Sequence, residues 1–445
     1  MDSGLPGRTG TGELRGPPIR GKGDSYVRAA APRSRWSRAR PAARWPRAAR
    51  VQVMAMHRWT LGGLGAVPVA GMALILSVAA AAAPHRADSS VTVEVGGLRG
   101  VSAVAASDAW AVGFHPTTTD GDETLVLHWD GTSWQQVPSP SSGTRGSILN
   151  GVSALSPSQA WAVGDFLTST GAQGLVLRWD GSAWTIVVSP HPGRADALTG
   201  VSLLSSSDAW AVGDYAPHTA GTTQTLVLHW DGTNWTQVAS PNPVAASSSV
   251  LAAVSVVSAS DAWAVGSYQT AAGGTKTLVL HWDGTGWQLV PSPAPGLRSG
   301  LAGVSAVSGS DAWAVGTYVS RTDVGKSLVL HWNGTSWQRV ASPNPLTAIS
   351  SSLGGVSALS ATDAWAVGQS ATSSGNPRSL VLHWTGTSWR QVASPSPGFR
   401  AALTAVSARS AADAWAAGNF SVNGGPSPGD KTLLLHWNGT SWRQS

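Results

Sequence analysis

Twenty-one of the 24 tryptophans in this chain fall into seven evenly spaced triplets, and the triplets mark seven copies of one unit about fifty residues long. In its fullest form the unit reads L-x-G-V-S-A-L-S-x-S-D-A-W-A-V-G, then a variable stretch, then T-L-V-L-H-W-D-G-T-S-W-x-Q-V-x-S-P. Its first tryptophans are Trp110, Trp161, Trp210, Trp263, Trp313, Trp365 and Trp415. A unit this small cannot bury its own faces, so copies must stack on one another. The copies run from roughly Leu98 to Ser445, which leaves room for one large domain where 445 residues would ordinarily suggest several.

Each copy contains four apolar runs parted by turn residues; in the second they are Gly151 to Leu155, Ala160 to Gly164, Leu175 to Trp179 and Trp184 to Val188. Four short strands per copy are expected. The third and fourth runs are joined through Asp-Gly, or Asn-Gly at Asn333 and Asn438, the strongest short hairpin signal because these residues tolerate positive φ. The sixth copy departs from this with Thr385-Gly386. The first two runs are joined through Ser-x-Ser-Asp, whose side chains can bond their own backbone in a tight reversal. The result is an antiparallel meander.

Side-chain size decides how the meanders assemble. The leading run is the small Gly-Val-Ser-Ala, whereas each later run carries a tryptophan, so the unit widens from first strand to last. Such wedges fit around a central channel, and seven of them predict an all-β, seven-bladed β-propeller of four-stranded antiparallel blades. It spans 91–445, with blades near 98–140, 149–190, 198–241, 251–293, 301–343, 353–395 and 403–445. The run Leu-Val-Leu is apolar at every position, as a sheet covered on both faces requires; a two-sheet sandwich would alternate. Each buried tryptophan removes some 150–250 Å² from water, on the order of 4–6 kcal/mol as an upper bound. Val91 to Val95 alternates like a strand and is expected to pair beside the short end Trp442 to Ser445, fastening the ring.

The rest of the composition is all-β in character: charged residues are 12% of the chain, while Gly and Pro number 52 and 27. Residues 1–55 are rich in Arg, Pro and Ala without apolar periodicity and read as disordered, or as lying before the true start at Met54 or Met56. Residues 56–84 read as a signal peptide, with an uncleaved membrane anchor as the alternative. Either reading implies export. The net charge of +6 comes from the N-terminus, since residues 1–50 hold twelve Lys/Arg against three Asp/Glu and residues 85–445 hold sixteen against twenty. A phosphate-binding footprint is absent from the repeats, which argues against a nucleic-acid partner. With no cysteine, disulfides, thiol catalysis and thiolate metal sites are excluded together.

The Asp-Gly-Thr-Ser-Trp hairpins and Asp-Ala-Trp-Ala-Val-Gly strands resemble the repeats of secreted bacterial β-propellers, distantly related to the Asp-box, sialidase-like superfamily. The resemblance covers about residues 91–445. It departs from the Asp-box pattern in that Asp130 and Gly131 are adjacent rather than separated by one residue. What it implies is the fold; propellers host many unrelated activities.

A catalytic site is usually made once, yet the residues best suited to chemistry here obey the repeat. His128, His229, His281, His331, His383 and His436 share one position, with Arg178 in the second copy, and read as packing or hydrogen-bonding groups. Asp108, Asp208, Asp261, Asp311, Asp363 and Asp413 share another, with Gln159 in the second copy, and read as turn caps. Beyond Ala83 only Glu94 and Glu123 are glutamates, too few for glycosidase carboxylate pairs, and no arginine cluster of sialidase type is recognisable. Asp120, Asp122 and Glu123 form the one acidic cluster and read as a solvated loop rather than a cation site. Asn234, Asn333 and Asn438 match glycosylation sequons, two of them at hairpin turns.

The links between second and third strands, and between copies, vary in length and content, and a meander places both on one face. Five copies there carry an aromatic residue two positions past the strand-two glycine: Phe166, Tyr215, Tyr268, Tyr318 and Phe420, with Phe114 one position earlier in the first. They are candidate ligand-binding residues, able to stack on sugar rings or anchor a peptide; the alternative is that they pad the strand-loop junction. The sequence therefore leads to an exported, non-enzymatic binding scaffold for protein or cell-wall polymer, without cofactor or metal. A carbohydrate-binding lectin is the nearest alternative and a glycan-active hydrolase the more distant one.

Overall fold

Each repeat folds into the same four-stranded antiparallel meander. In unit one the strands are Gly97–Ala105, Asp108–Pro116, Asp122–Trp129 and Trp134–Gln136, and in unit seven Arg400–Ser410, Asp413–Ser421, Asp430–Trp437 and Trp442–Gln444. Units one, two, three and seven are separate four-stranded sheets, whereas units four to six join into one twelve-stranded sheet through single parallel bridges, Thr275 to Arg298 and Gly325 to Ser350. This computed structural model describes residues 95–445 apart from 118–120, 144, 219–220, 245, 323, 346–347, 374 and 424–429, together with the paired two-residue strands Arg58–Trp59 and Val67–Pro68. Residues 1–51 and 52–445 separate as two units. The first, and most of the expected signal peptide or anchor over 56–84, lie outside the described residues.

The strands outrun their sequence signals. In unit two the first strand is Ser147–Ser156 and the second Gln159–Leu167, each longer than its apolar run, while the fourth, Trp184–Ile186, is shorter. The cause is a bulge between Leu149 and Gly151, which shifts the register and breaks the apolar pattern without ending the strand. The glycine of Ala-Val-Gly closes on this bulge: a Cβ on Gly164 would run into the carbonyl oxygen of Ile148 and stand 2.8 Å from the Leu149 Cα.

Both faces of each third strand are buried, as the Leu-Val-Leu run requires. Leu125 and Leu127 pack with Ala417 and Leu434 of unit seven, and Val126 packs on the opposite side with Trp110, Leu149 and Leu175. The tryptophans join neighbouring units. Trp110 lies 4.8 Å from Trp179 and 5.2 Å from Trp184, the latter edge-to-face, and the arrangement recurs down to Trp365, at 4.9 Å and 5.1 Å from Trp437 and Trp442. Trp415 of unit seven in turn meets Trp129 and Trp134 of unit one at 6.2 and 6.5 Å. This last junction is the loosest of the set.

Apart from the single bridges at Arg298 and Ser350, the first strand has a neighbour on one edge only, and an unpaired edge leaves backbone N–H groups without partners. The serine of Gly-Val-Ser-Ala supplies the acceptor across the junction. Ala154 N–H donates to Ser102 Oγ at 3.0 Å, Leu203 to Ser153 at 3.2 Å, Val256 to Ser202 at 3.2 Å, Ala306 to Ser255 at 3.0 Å, Ala358 to Ser305 at 3.0 Å and Ala408 to Ser357 at 3.0 Å. Ala103 N–H then donates to Ser407 Oγ at 3.2 Å, returning the series to its start. Small residues are needed beside it: a Cβ on Gly100 would stand 2.7 Å from Val152 N and 2.9 Å from the Gly151 Cα.

The expected clasp is corrected. Val95 bridges Lys431 at the start of the third strand of unit seven, and Gly96 N–H donates to Asp430 O at 2.8 Å, so the described end of the segment meets the third strand rather than the fourth. Residues 91–94 lie outside the described residues. The short end needs no partner strand because Trp442–Gln444 is itself a fourth strand as long as that of unit one.

Candidate functional site

The sheets present two ends of different character. At one, the turn between first and second strands is clamped by the third-strand tryptophan: Trp129 Nε1 donates to Ala106 O at 2.9 Å, and Trp437 Nε1 to Ala411 O at 2.9 Å. Beside it the hairpin aspartate folds over its own turn, Asp180 Oδ1 accepting from Ser182 N–H at 2.8 Å, Ser182 Oγ at 2.7 Å and Ala183 N–H at 2.9 Å. Asn333 and Asn438, the two hairpin sequons, accept in the same way, so their side chains are already engaged. Hydrogen bonds, led by the Ala183 backbone N–H at Asp180 and by the Thr233 and Thr285 hydroxyls at Asp231 and Asp283, hold these carboxyls down at about 2.

The repeated histidines belong to this end as well. His128 stacks on Trp110 at 4.1 Å, and its Nε2 meets Asp108 Oδ1 at 2.9 Å; His383 stacks on Trp365 at 4.0 Å and reaches Asp363 at 2.8 Å. The packing reading of the histidines holds, but the aspartates engage the neighbouring strand's histidine, and turn capping falls to the serines, as where Ser207 N–H donates to Ser205 Oγ at 3.2 Å. In unit two Arg178 lies over Trp161 at 5.6 Å in place of the histidine. Among the described residues no three His, Asp or Glu side chains converge as a metal site. Asp120 lies outside them, and Glu123 pairs with His115 at 3.6 Å.

The opposite end carries the loops between second and third strands and the connectors between units. Part of the connector is regular in units one and three to six. Its Ser-Pro serine bonds the hydroxyl that opens the Leu-Val-Leu run, Ser139 to Thr124 at 2.8 Å and Ser292 to Thr277 at 2.9 Å, a pairing that the repeat of Thr and Ser at these two positions already encodes. What varies is the chain beyond it.

The five candidate aromatics lie inside the second strands rather than in loops. Ser147 pairs with Phe166, Asp196 with Tyr215, Ser249 with Tyr268, Ser299 with Tyr318 and Ala401 with Phe420. Tyr318 and Phe420 are each 8% exposed and sit in the apolar layers; Phe166, Tyr215 and Tyr268 pack against those layers half-buried. Strand two continues past its glycine and carries these rings into the junctions between units. The Tyr215 hydroxyl donates to Gln224 Oε1 at 2.8 Å, and Arg339 donates to the Tyr318 hydroxyl at 2.7 Å with its guanidinium 4.6 Å from the ring.

Polar groups that break the repeat collect at this end of units one to three. Arg99 Nη1 donates to Asn150 Oδ1 at 2.9 Å, and Asn150 Nδ2 donates to Asp165 Oδ1 at 2.9 Å and to Leu198 O at 2.9 Å. Asp196, 1% exposed, accepts from Gly174 N–H at 2.8 Å and meets His191 Nδ1 at 3.1 Å, and this hydrogen bond raises the His191 pKa. The charge follows the same division: residues 97–245 hold four Lys/Arg against eleven Asp/Glu, and residues 246–445 hold eleven against seven. The near-neutral total hides this split.

No protein-family model matches the sequence, and no curated protein matches it. Among solved structures the chain is similar to a PL25 ulvan lyase bound to -[GlcA(1-4)Rha3S]-, with a TM-score of 0.52 at 9% identity over 79% of this chain and 96% of that one. It is also similar to YCF48 from Cyanidioschyzon merolae, at 0.46, 15%, 78% and 97%, and to the fucose-specific lectin from Aleuria aurantia, at 0.40, 11%, 80% and 95%. These neighbours are β-propeller proteins, and the chain shares their all-β fold of repeated four-stranded sheets.

Proposed function

We propose that the protein is an exported, non-enzymatic, closed seven-bladed β-propeller that binds a protein or a cell-wall polymer through the end bearing the variable loops. Ring closure is supported by the cyclic serine series, in which Ser407 accepts from Ala103 as Ser102 accepts from Ala154. The observation that carries the binding reading is the contrast between the ends. One end is occupied by the same tryptophan clamp, stacked histidine and capped hairpin in unit after unit; the other departs from the repeat in charge and in polar networks. Loops on a rigid frame are where binding residues usually sit. A sugar-stacking site on the five aromatics is disfavoured by their packing, which leaves a lectin in second place.

The absence of cysteine provides the test. A single Ala272→Cys at the variable end or Ala411→Cys at the repeated end gives one attachment point for a maleimide polymer, and both positions are exposed. Binding to cell-wall polymers and surface-protein extracts is expected to be lost when the first is blocked and kept when the second is. Equal retention in both would overturn the reading. Cell fractionation tests export: protein confined to the cytoplasm refutes it.

A further inference from the structure

Resting on that reading, we propose that the variable end of units four to seven docks an acidic peptide segment of a partner protein, one with apolar residues set between its carboxylates. The first observation is a row of cations in register. The residue two places before the first leucine of the third strand is Glu123, Gln173 and Gln224 in units one to three, and Lys276, Lys326, Arg378 and Lys431 in units four to seven. Lys276, Lys326 and Arg378 are exposed, and Lys431 is half-buried. Arg298 and Arg400 begin the first strands of units five and seven at the same end, and Arg321 stands in a loop there. Among the described residues none of these seven cations is in an ion pair; Arg378 instead donates to the Ser396 carbonyl at 3.0 Å, beside Phe399. Among the described residues of units four to seven the acid at this end is Asp430, which accepts from Asn419 at 3.0 Å.

The second observation is independent of charge. Large apolar side chains stand exposed at the same end: Val244 in the connector before unit four, Leu297 at 57%, Ile349 at 40%, Phe399 at 40% and Val422 at 51%, with Val95 at 45% beside Lys431; Leu289 of unit four is exposed on the outer strand instead. In units one to three the exposed Leu155, Ile186 and Val188 lie on the first strand's far end and along the outer strand. A face kept basic for solubility alone gains nothing from apolar groups among its cations. Apolar groups gathered on one face mark a contact surface, and the cations set the sign of what covers it. An acidic polysaccharide would answer the charges but has no apolar side chains for Leu297 and Val422, and of the five candidate rings Tyr318 and Phe420 are buried and the other three half-buried. A peptide answers both.

The test is a display selection of random dodecapeptides on the full chain, run in parallel on a Lys276→Gln, Lys326→Gln, Arg378→Gln variant whose circular dichroism and melting match the parent. Peptides enriched in Asp/Glu with interspersed Leu, Ile or Phe are expected, binding about tenfold or more weakly to the variant and weakening again as salt rises from low to molar. Neutral peptides, equal binding to both proteins, no enrichment, or binding of polygalacturonate alone would each overturn the proposal. Equal binding would assign the attraction to the Arg-rich N-terminal segment. Peptides blocked by polymer at Ala272→Cys yet indifferent to the glutamines would sink this inference while leaving the variable-end reading intact; peptides blocked only at Ala411→Cys would sink both.

Discussion

Removing the serine at the seam distinguishes a closed ring from an open row of sheets. Ser255→Ala takes the acceptor from Ala306 N–H within the row, and Ser407→Ala takes it from Ala103 N–H across the first and last units, at 3.0 and 3.2 Å. A backbone hydrogen bond to a neutral hydroxyl contributes about 0.5–1.5 kcal/mol net, so each substitution is expected to cost about 1 kcal/mol. The two costs are expected to agree because the geometries do. Urea unfolding followed by far-ultraviolet circular dichroism reads the stability. Hydrogen exchange of peptides spanning Ala103 and Ala306 reads the two sites separately, and about 1 kcal/mol of local destabilisation corresponds to roughly fivefold faster exchange. In an open row Ser407 would have no partner. If Ser407→Ala leaves stability and Ala103 exchange unchanged while Ser255→Ala lowers both, the ring is not closed and the argument fails.

Trp263 is 1% exposed and lies against Trp332 at 4.8 Å and Trp337 at 5.2 Å, so Trp263→Ala is expected to cost about 3–5 kcal/mol in urea unfolding. Gly213→Ala should destabilise strongly, because its Cβ would run into the Ala197 carbonyl oxygen, whereas Gly221→Ala, with nothing within 4 Å, should leave the melting temperature nearly unchanged. The hairpin aspartates make an acid-sensitive contribution: their folded pKa, lowered from 3.8 to about 2, means stabilisation that is present above the ordinary value and lost as pH falls toward 2. A triple Asp180→Asn, Asp231→Asn, Asp283→Asn variant, copying the residue the chain itself uses at Asn333 and Asn438, should show a flatter melting temperature between pH 4 and pH 2, measured by calorimetry.

The repeat made the architecture legible because identical units must form identical contacts. The Leu-Val-Leu runs, the Asp-Gly hairpins and the placement of small residues on the first strand each carry a single physical meaning, and the structure realises all three. The strand limits were less legible, since a bulge such as that between Leu149 and Gly151 shifts the register and ends the apolar pattern while hydrogen bonding continues. That shift also explains the aromatics: Phe166 and Tyr215 read as loop residues only if strand two ends at its glycine. The clasp at Val95 was misplaced because alternation reports that a segment can pair, not which edge receives it. The charge division needed no structure at all, only a tally taken unit by unit instead of over the whole chain.

A series of equal units makes every site in each copy, so a distinct surface needs residues that leave the repeat without disturbing it. Few positions allow that. The second-strand tryptophan and the first-strand serine are each held by a neighbouring unit, and a change at either costs stability. The residue two places before the Leu-Val-Leu run of the third strand is different. In units one to three it is Glu or Gln, in units four to seven Lys or Arg, and its backbone pairs identically with strand two, as His115 with Glu123 and Tyr268 with Lys276. Because the ladder bonds use only its main chain, the side chain can take either sign at little cost to the fold. Charge written at such a position adds to the surface and subtracts nothing from the sheets, which is why the row from Lys276 to Lys431, more than any buried group, distinguishes units four to seven from units one to three.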